Sequence, residues 1–293
     1  MRLRFDPAAL VRLVLLGAGL GLAVLVMGMV EDGSLGTAAL LTTLVLCLLG
    51  GIAIMLFRLP LYAFFGLYGP GARLTGNVLE GMGRDIPGRE QFLYQHAYFL
   101  FGLGRFEEAL AALEEIDSRN IPDTLQSMVS LNKGLVLLAL FRGGEALATL
   151  SLESMDEHYP GGMRANWLAY TAEAHAQLGT GLEHALDMAE SGFSLESSPR
   201  IAIIMGHILW KMRQFEAANA WLSWGTRRVP RKERYFRSYA RFLRAGILRE
   251  AGESRDAEQA FRKALALAPS NECRELYART WEKPSPRRKR RQP

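Results

Sequence analysis

The side chains best equipped for bond chemistry in this 293-residue chain are five histidines and two cysteines. Catalysis or metal binding would need them clustered, and they are scattered. His96, His158, His175, His184 and His207 form no His-Glu-x-x-His pair and no Cys/His cluster. His175 and His184 stand nine positions apart, on opposite faces of any helix that held both. Cys47 lies in an apolar segment and Cys273 near the far end, which leaves no disulfide framework and no metal-ligand spacing and fits a reducing compartment. No Gly-x-x-x-x-Gly-Lys loop cradles phosphate, and no Gly-x-Ser-x-Gly elbow carries a nucleophile. The expectation is a protein that is not an enzyme, with no metal and no cofactor.

Charge offers a different chemistry. The net charge of +5 hides a split: residues 80–198 carry 7 basic and 18 acidic groups, residues 199–293 carry 23 basic and 9 acidic groups. Such a dipole along the chain invites head-to-tail self-association. The basic run Arg287, Arg288, Lys289, Arg290 and Arg291 follows Pro284-Ser285-Pro286 in a segment, 284–293, that reads as disordered. Three readings of it stand open: a solvated tail without a partner, attraction to anionic lipid at about 1 kcal/mol per basic residue, and nucleic acid, the least favoured.

The elements that would position these groups begin with the apolar N-terminus. Leu13 to Val30 and Gly33 to Phe57 are free of charge, and each exceeds or approaches the roughly 20 residues needed to cross a bilayer. The predicted spans, 12–30 and 35–57, form a transmembrane hairpin over residues 1–58. Arg2, Arg4 and Arg12 precede the first span and Arg58, Arg73 and Arg84 follow the second, while the turn holds Glu31 and Asp32. The excess of bases at both ends predicts an integral membrane protein, in a bacterial inner membrane, with both termini cytoplasmic. A cleaved signal peptide is the competing reading, but no small-x-small site follows Val30. Residues 59–87 read as an interfacial linker, partly helical, with Tyr62, Phe64, Phe65 and Tyr68 at the membrane surface and a turn at Gly69-Pro70-Gly71.

From residue 88 to 270 one pattern recurs about five times. A small residue in a first helix is followed about twelve positions later by an alanine in a second, and then by a larger apolar residue. The pairs are Ala97 with Ala109 and Leu113, Gly134 with Ala146 and Leu150, Ala172 with Ala185, Gly206 with Ala218 and Leu222, and Ala245 with Ala257. Two helices approach closely only where side chains are small, and each pair leaves an apolar face that a neighbour must cover. The second unit lacks the glycine before its alanine and the third is one residue longer. Residues 271–283 read as a capping helix, with Cys273 and Tyr277 or Trp281 facing the last pair.

Gly-Arg-Phe-Glu-Glu-Ala at 104–109, Gln-Phe-Glu-Ala-Ala in the fourth unit, and the closing Pro199, Pro230 and Pro269 resemble the tetratricopeptide repeat (TPR) family. The resemblance implies an all-α fold in which a TPR-like α-solenoid follows the N-terminal two-helix transmembrane hairpin. It also implies that first helices line a concave groove for a protein or peptide partner. On this chain that groove would use Tyr94, Tyr98 and Phe101; Asn166, Glu173 and Gln177; Arg200, His207, Trp210 and Lys211; and Tyr239, Phe242 and Arg249. Several of these aromatics qualify equally as packing residues. The expected function is a membrane-anchored scaffold that binds partner proteins on the cytoplasmic side. The alternative is an accessory or assembly subunit of a membrane complex, contacting it through the hairpin.

Overall fold

A computed structural model describes residues 59–60, 62–83, 86, 88–151 and 159–282. The two predicted membrane spans and the basic tail lie outside the described residues. Among those described, no helix is long and apolar enough to cross a membrane. The described residues from 65 onward belong to one compact unit.

That unit is built of helices: α1 (Tyr68–Gly81), α2 (Arg89–Leu103), α3 (Phe106–Glu114), α4 (Asp123–Ala139), α5 (Gly143–Ser151), α6 (Gly161–Leu178), α7 (Leu182–Leu195), α8 (Pro199–Lys211), α9 (Phe215–Arg228), α10 (Arg234–Glu250), α11 (Ser254–Leu267) and α12 (Asn271–Glu282). Five antiparallel pairs, α2–α3 to α10–α11, follow one another. The small residues that mark each pair in the sequence are buried at the crossings, Ala109, Ala146, Ala172, Ala185, Ala218 and Ala245 completely. A Cβ added at Gly134 would lie 2.8 Å from the Leu150 side chain, and one at Gly206 would lie 2.7 Å from Leu222. In these two units the larger residue therefore closes over the glycine.

The same turn joins the helices of every pair. A backbone N–H reaches the carbonyl five residues back, in Arg105 to Leu100, Arg142 to Leu137, Thr180 to His175, Gln214 to Leu209 and Glu253 to Leu248. This helix-ending arrangement puts one residue in the left-handed region, where glycine is favoured. Gly104, Gly179 and Gly252 fill it in three units, but Phe141 (φ 58°) and Arg213 (φ 63°) fill it in the others. The extra residue of the third unit is absorbed by a second left-handed glycine, Gly181 (φ 57°).

Gly69-Pro70-Gly71, read from sequence as a turn, is instead the first turn of α1. Proline is tolerated there because the first N–H groups of a helix have no internal acceptor. The glycines serve packing. A Cβ on Gly71 would fall 2.4 Å from the Phe99 ring, and one on Gly102 would fall 2.4 Å from Tyr68. Thr75 and His96 Nδ1 are hydrogen-bonded at 2.8 Å across the same contact. Segment 68–81 is thus an extra helix seated on the first pair.

The array curls until its last part meets its first. Ser270 Oγ donates to the Gly104 carbonyl at 2.6 Å, and Ser270 also caps α12 by accepting from Cys273 N. Glu272 accepts from the backbone N–H groups of Phe106 and Glu107, both at 3.1 Å, so α12 caps α3 from the opposite end of the array. Phe101, Phe106 and Tyr235 meet with centroids 5.3–5.4 Å apart. Phe141, from the second unit's turn, meets Tyr239, Phe242 and Tyr277 at 5.8–6.2 Å.

Candidate concave binding site

Curling divides the inner faces of the first helices into a sealed part and an open part. The sealed part centres on Glu173, His207 and Tyr239, which are 3–4% exposed. The Glu173 carboxyl accepts from His207 Nδ1 at 2.8 Å, from Tyr239 OH at 2.5 Å and from Gln177 Nε2 at 3.3 Å. Burial first, then the charge of Glu173, pushes the Tyr239 phenol well above its usual range. Phe242 stacks on Tyr277 at 4.6 Å. These groups satisfy one another in the interior, which is where buried polar side chains require partners.

The open part is a cavity of about 280 Å³ between the inner faces of α2, α4 and α6 and the N-terminal ends of α8 and α10. Tyr94, Tyr98, Phe101, Asn166 and Arg200 from the sequence-derived groove line it. Tyr68, Asn132, Tyr170, Lys232 and Phe236 are among the lining residues that the sequence did not reveal. Tyr68 belongs to the segment read as linker, and Lys232 and Phe236 flank a helix start rather than the middle of a first helix. The wall is mostly aromatic and aliphatic. Asn132 Nδ2 donates to Tyr94 OH at 2.7 Å, and burial pushes that phenol up to about 12. Tyr98 keeps 41% of its surface exposed.

Arg200 supplies the fixed charge. Its Nε donates to Glu233 at 2.8 Å, and its guanidinium lies 5.0 Å from the Phe236 ring centre. Burial pulls its pKa down, but the hydrogen bond and charge of Glu233, together with Tyr170, outweigh that and raise it. The cavity therefore presents an apolar pit with a permanent ion pair at its edge. This arrangement suits an apolar side chain carried on a polar peptide.

The remaining sequence-derived residues lie elsewhere. Trp210 covers Gly246, where a Cβ would approach its ring to 2.5 Å. Lys211 lies over Trp210 at 5.0 Å. Gln177 donates to the Leu138 carbonyl. Arg249 stacks on Trp281 at 4.2 Å and donates to its carbonyl, tying α12 to α10. Among the described residues no group of three His, Cys, Asp or Glu side chains could hold a metal ion.

Similarity to known proteins follows the repeats. Residues 79–174 match the family described as tetratrico peptide repeat, and residues 238–271 match a second family, tetratricopeptide repeat. No curated protein matches the chain. Among solved structures, a thermophilic TPR protein of Thermus thermophilus shares 19% identity with a TM-score of 0.48. The match covers 66% of this chain and 98% of that one. A MamA double mutant shares 18% identity at a TM-score of 0.42, covering 59% of this chain and 92% of its own. Residues 79–174 and 238–271 are tetratricopeptide repeats within an all-α helical repeat array.

Proposed function

We propose that this chain is a membrane-anchored scaffold that holds a partner protein by an apolar side chain seated in the concave cavity. The observation that carries the reading is the cavity itself: an aromatic pit, edged by the Arg200–Glu233 pair, on the inner face of a helical repeat array. Burying one large apolar side chain there contributes about 1.5–3 kcal/mol, and the polar rim orients the peptide that carries it. The chain performs no bond chemistry in this reading. The apolar runs 13–30 and 33–57 anchor the array in a bilayer with the repeats on the cytoplasmic side.

A photo-crosslinking amino acid placed at Tyr98 should trap a discrete partner band, while the same group at Ala111, exposed on the outer helix α3, should not. Equal trapping at both positions would defeat the cavity reading. Alkaline carbonate washing tests the anchor. The full-length chain should stay with the membrane pellet, and a chain lacking residues 1–58 should leave it.

A further inference from the structure

Two like-charged stripes lie outside the lining of the concave cavity. On α7, Glu183, Asp187 and Glu190 recur at i, i+4 and i+7, all exposed. This stripe lies opposite the face that buries Ala185, Ala189 and Gly192. On α10, Arg237, Arg241 and Arg244 recur at the same spacing, on the side turned away from Tyr239, Phe242 and Leu243. Among the described residues, none of these six side chains forms an ion pair, whereas Arg89, Arg105, Arg142, Arg200 and Arg213 each have a carboxylate partner.

Two of the three arginines also line a groove. Arg241 and Arg244 line a depression of about 530 Å³ between α9 and α10, with Arg227 on the α9 wall. The same two arginines line a second depression, between α10 and α11, with Glu253, Asp256 and Lys263 on the α11 side. Basic groups outnumber acidic ones there by four to two.

We infer that the groove receives the acidic α7 face of a second copy of this chain, giving head-to-tail assembly. Three carboxylates and three guanidinium groups recur at the same i, i+4, i+7 spacing along their two helices, so opposite charges can be brought into register. One copy cannot pair them, because α8 and α9 separate α7 from α10 in the array. The surfaces differ, so the contact is heterologous and each copy keeps one donor face and one acceptor face. Individual exposed pairs are weak; copies held in one membrane plane meet at raised effective concentration. None of the six residues lines the concave cavity, so the contact stands whether or not that cavity holds a partner.

Sedimentation velocity of the full-length chain in detergent tests the inference. The native chain should associate at about 50 mM salt and at least tenfold more weakly at about 500 mM. Arg241→Gln with Arg244→Gln, and separately Glu183→Gln with Asp187→Asn, should each abolish association while leaving helix content and melting temperature unchanged. Mixed in equal amounts, the two variants should form a one-to-one dimer and nothing larger, since each keeps the surface the other lacks. Native association that ignores salt, variants that associate like the native chain, or a mixture that stays monomeric would each overturn it.

Discussion

The inner faces of the first helices behave differently on the two sides of the array's closure. At Glu173, His207, Tyr239 and Phe242 they are interior, hydrogen-bonded and stacked until almost nothing is left exposed. At Tyr94, Tyr98 and Arg200 they line an open pit. Both sets occupy equivalent positions in consecutive repeats. The difference arises because α12 and the Phe141 turn cover one set and leave the other open. In a short array that curls on itself, a groove-facing position is not a property of the repeat; it depends on what lies across the ring.

The largest test of this contrast is Tyr277→Ala. That side chain is completely buried between Phe242 and Phe141, and its loss should cost about 3–5 kcal/mol in denaturant unfolding. It should also free Cys273. Burial holds that thiol up to about 12, so near neutral pH it stays protonated and unreactive in the folded chain. Folding therefore favours the neutral thiol. This contribution is present below the thiol's ordinary pKa and is lost as pH rises toward about 12. In a Cys47→Ser background, maleimide labelling of Cys273 at about pH 8 should be slow, and Tyr277→Ala should accelerate it many-fold. Unchanged labelling would show that α12 does not seal this side.

Glu173→Ala should cost about 3 kcal/mol, because His207 Nδ1 and Tyr239 OH lose a common acceptor in the interior. Tyr98→Ala, in the open half, should move stability by less than about 1 kcal/mol and act on partner crosslinking instead. A reversed order of these two effects would break the division into sealed and open halves.

Phe141→Gly decides the meaning of the odd turn. Glycine relieves a left-handed strain of about 1–2 kcal/mol, so a variant more stable than the native chain would mean that the ring contacts contribute little. Net destabilisation of about 1 kcal/mol is expected, since three aromatic contacts are lost. A further test falls on Glu272. Glu272→Ala removes the cap on α3 and should cost about 1 kcal/mol. Glu272→Gln keeps an acceptor and should cost less. Burial raises the Glu272 carboxyl pKa, so folding favours its protonated form. Its stabilising share is present below the ordinary Glu pKa and is lost as pH rises through the raised value. The Gln variant should therefore lose less stability than the native chain on going from about pH 4 to about pH 7.

Much of the repeat array was legible because helix contact obeys a local rule. Gly134 with Leu150 and Gly206 with Leu222 are read as partners sixteen residues apart, and in the structure each leucine closes over its glycine. The missing glycine of the second unit was visible as a gap in the pattern. Its cause, Phe141 reaching across to Tyr239, Phe242 and Tyr277, was not, because those residues lie about a hundred positions away. The same distance hid Lys232 and Phe236 from the cavity, and the contact of Tyr68 with Gly102 hid α1 inside a supposed linker.

The sequence by itself determined the helical pairing, the alanine and glycine crossings, the charge split between the two halves and the apolar N-terminal runs. Each is a matter of residues near one another along the chain, where period and composition suffice. Only the tertiary structure decided how far the array curls. That curvature sums small rotations at every pair and is fixed by contacts between its ends, Ser270 with Gly104 and Glu272 with Phe106. Those end contacts settle which inner side chains become core and which remain open to a partner.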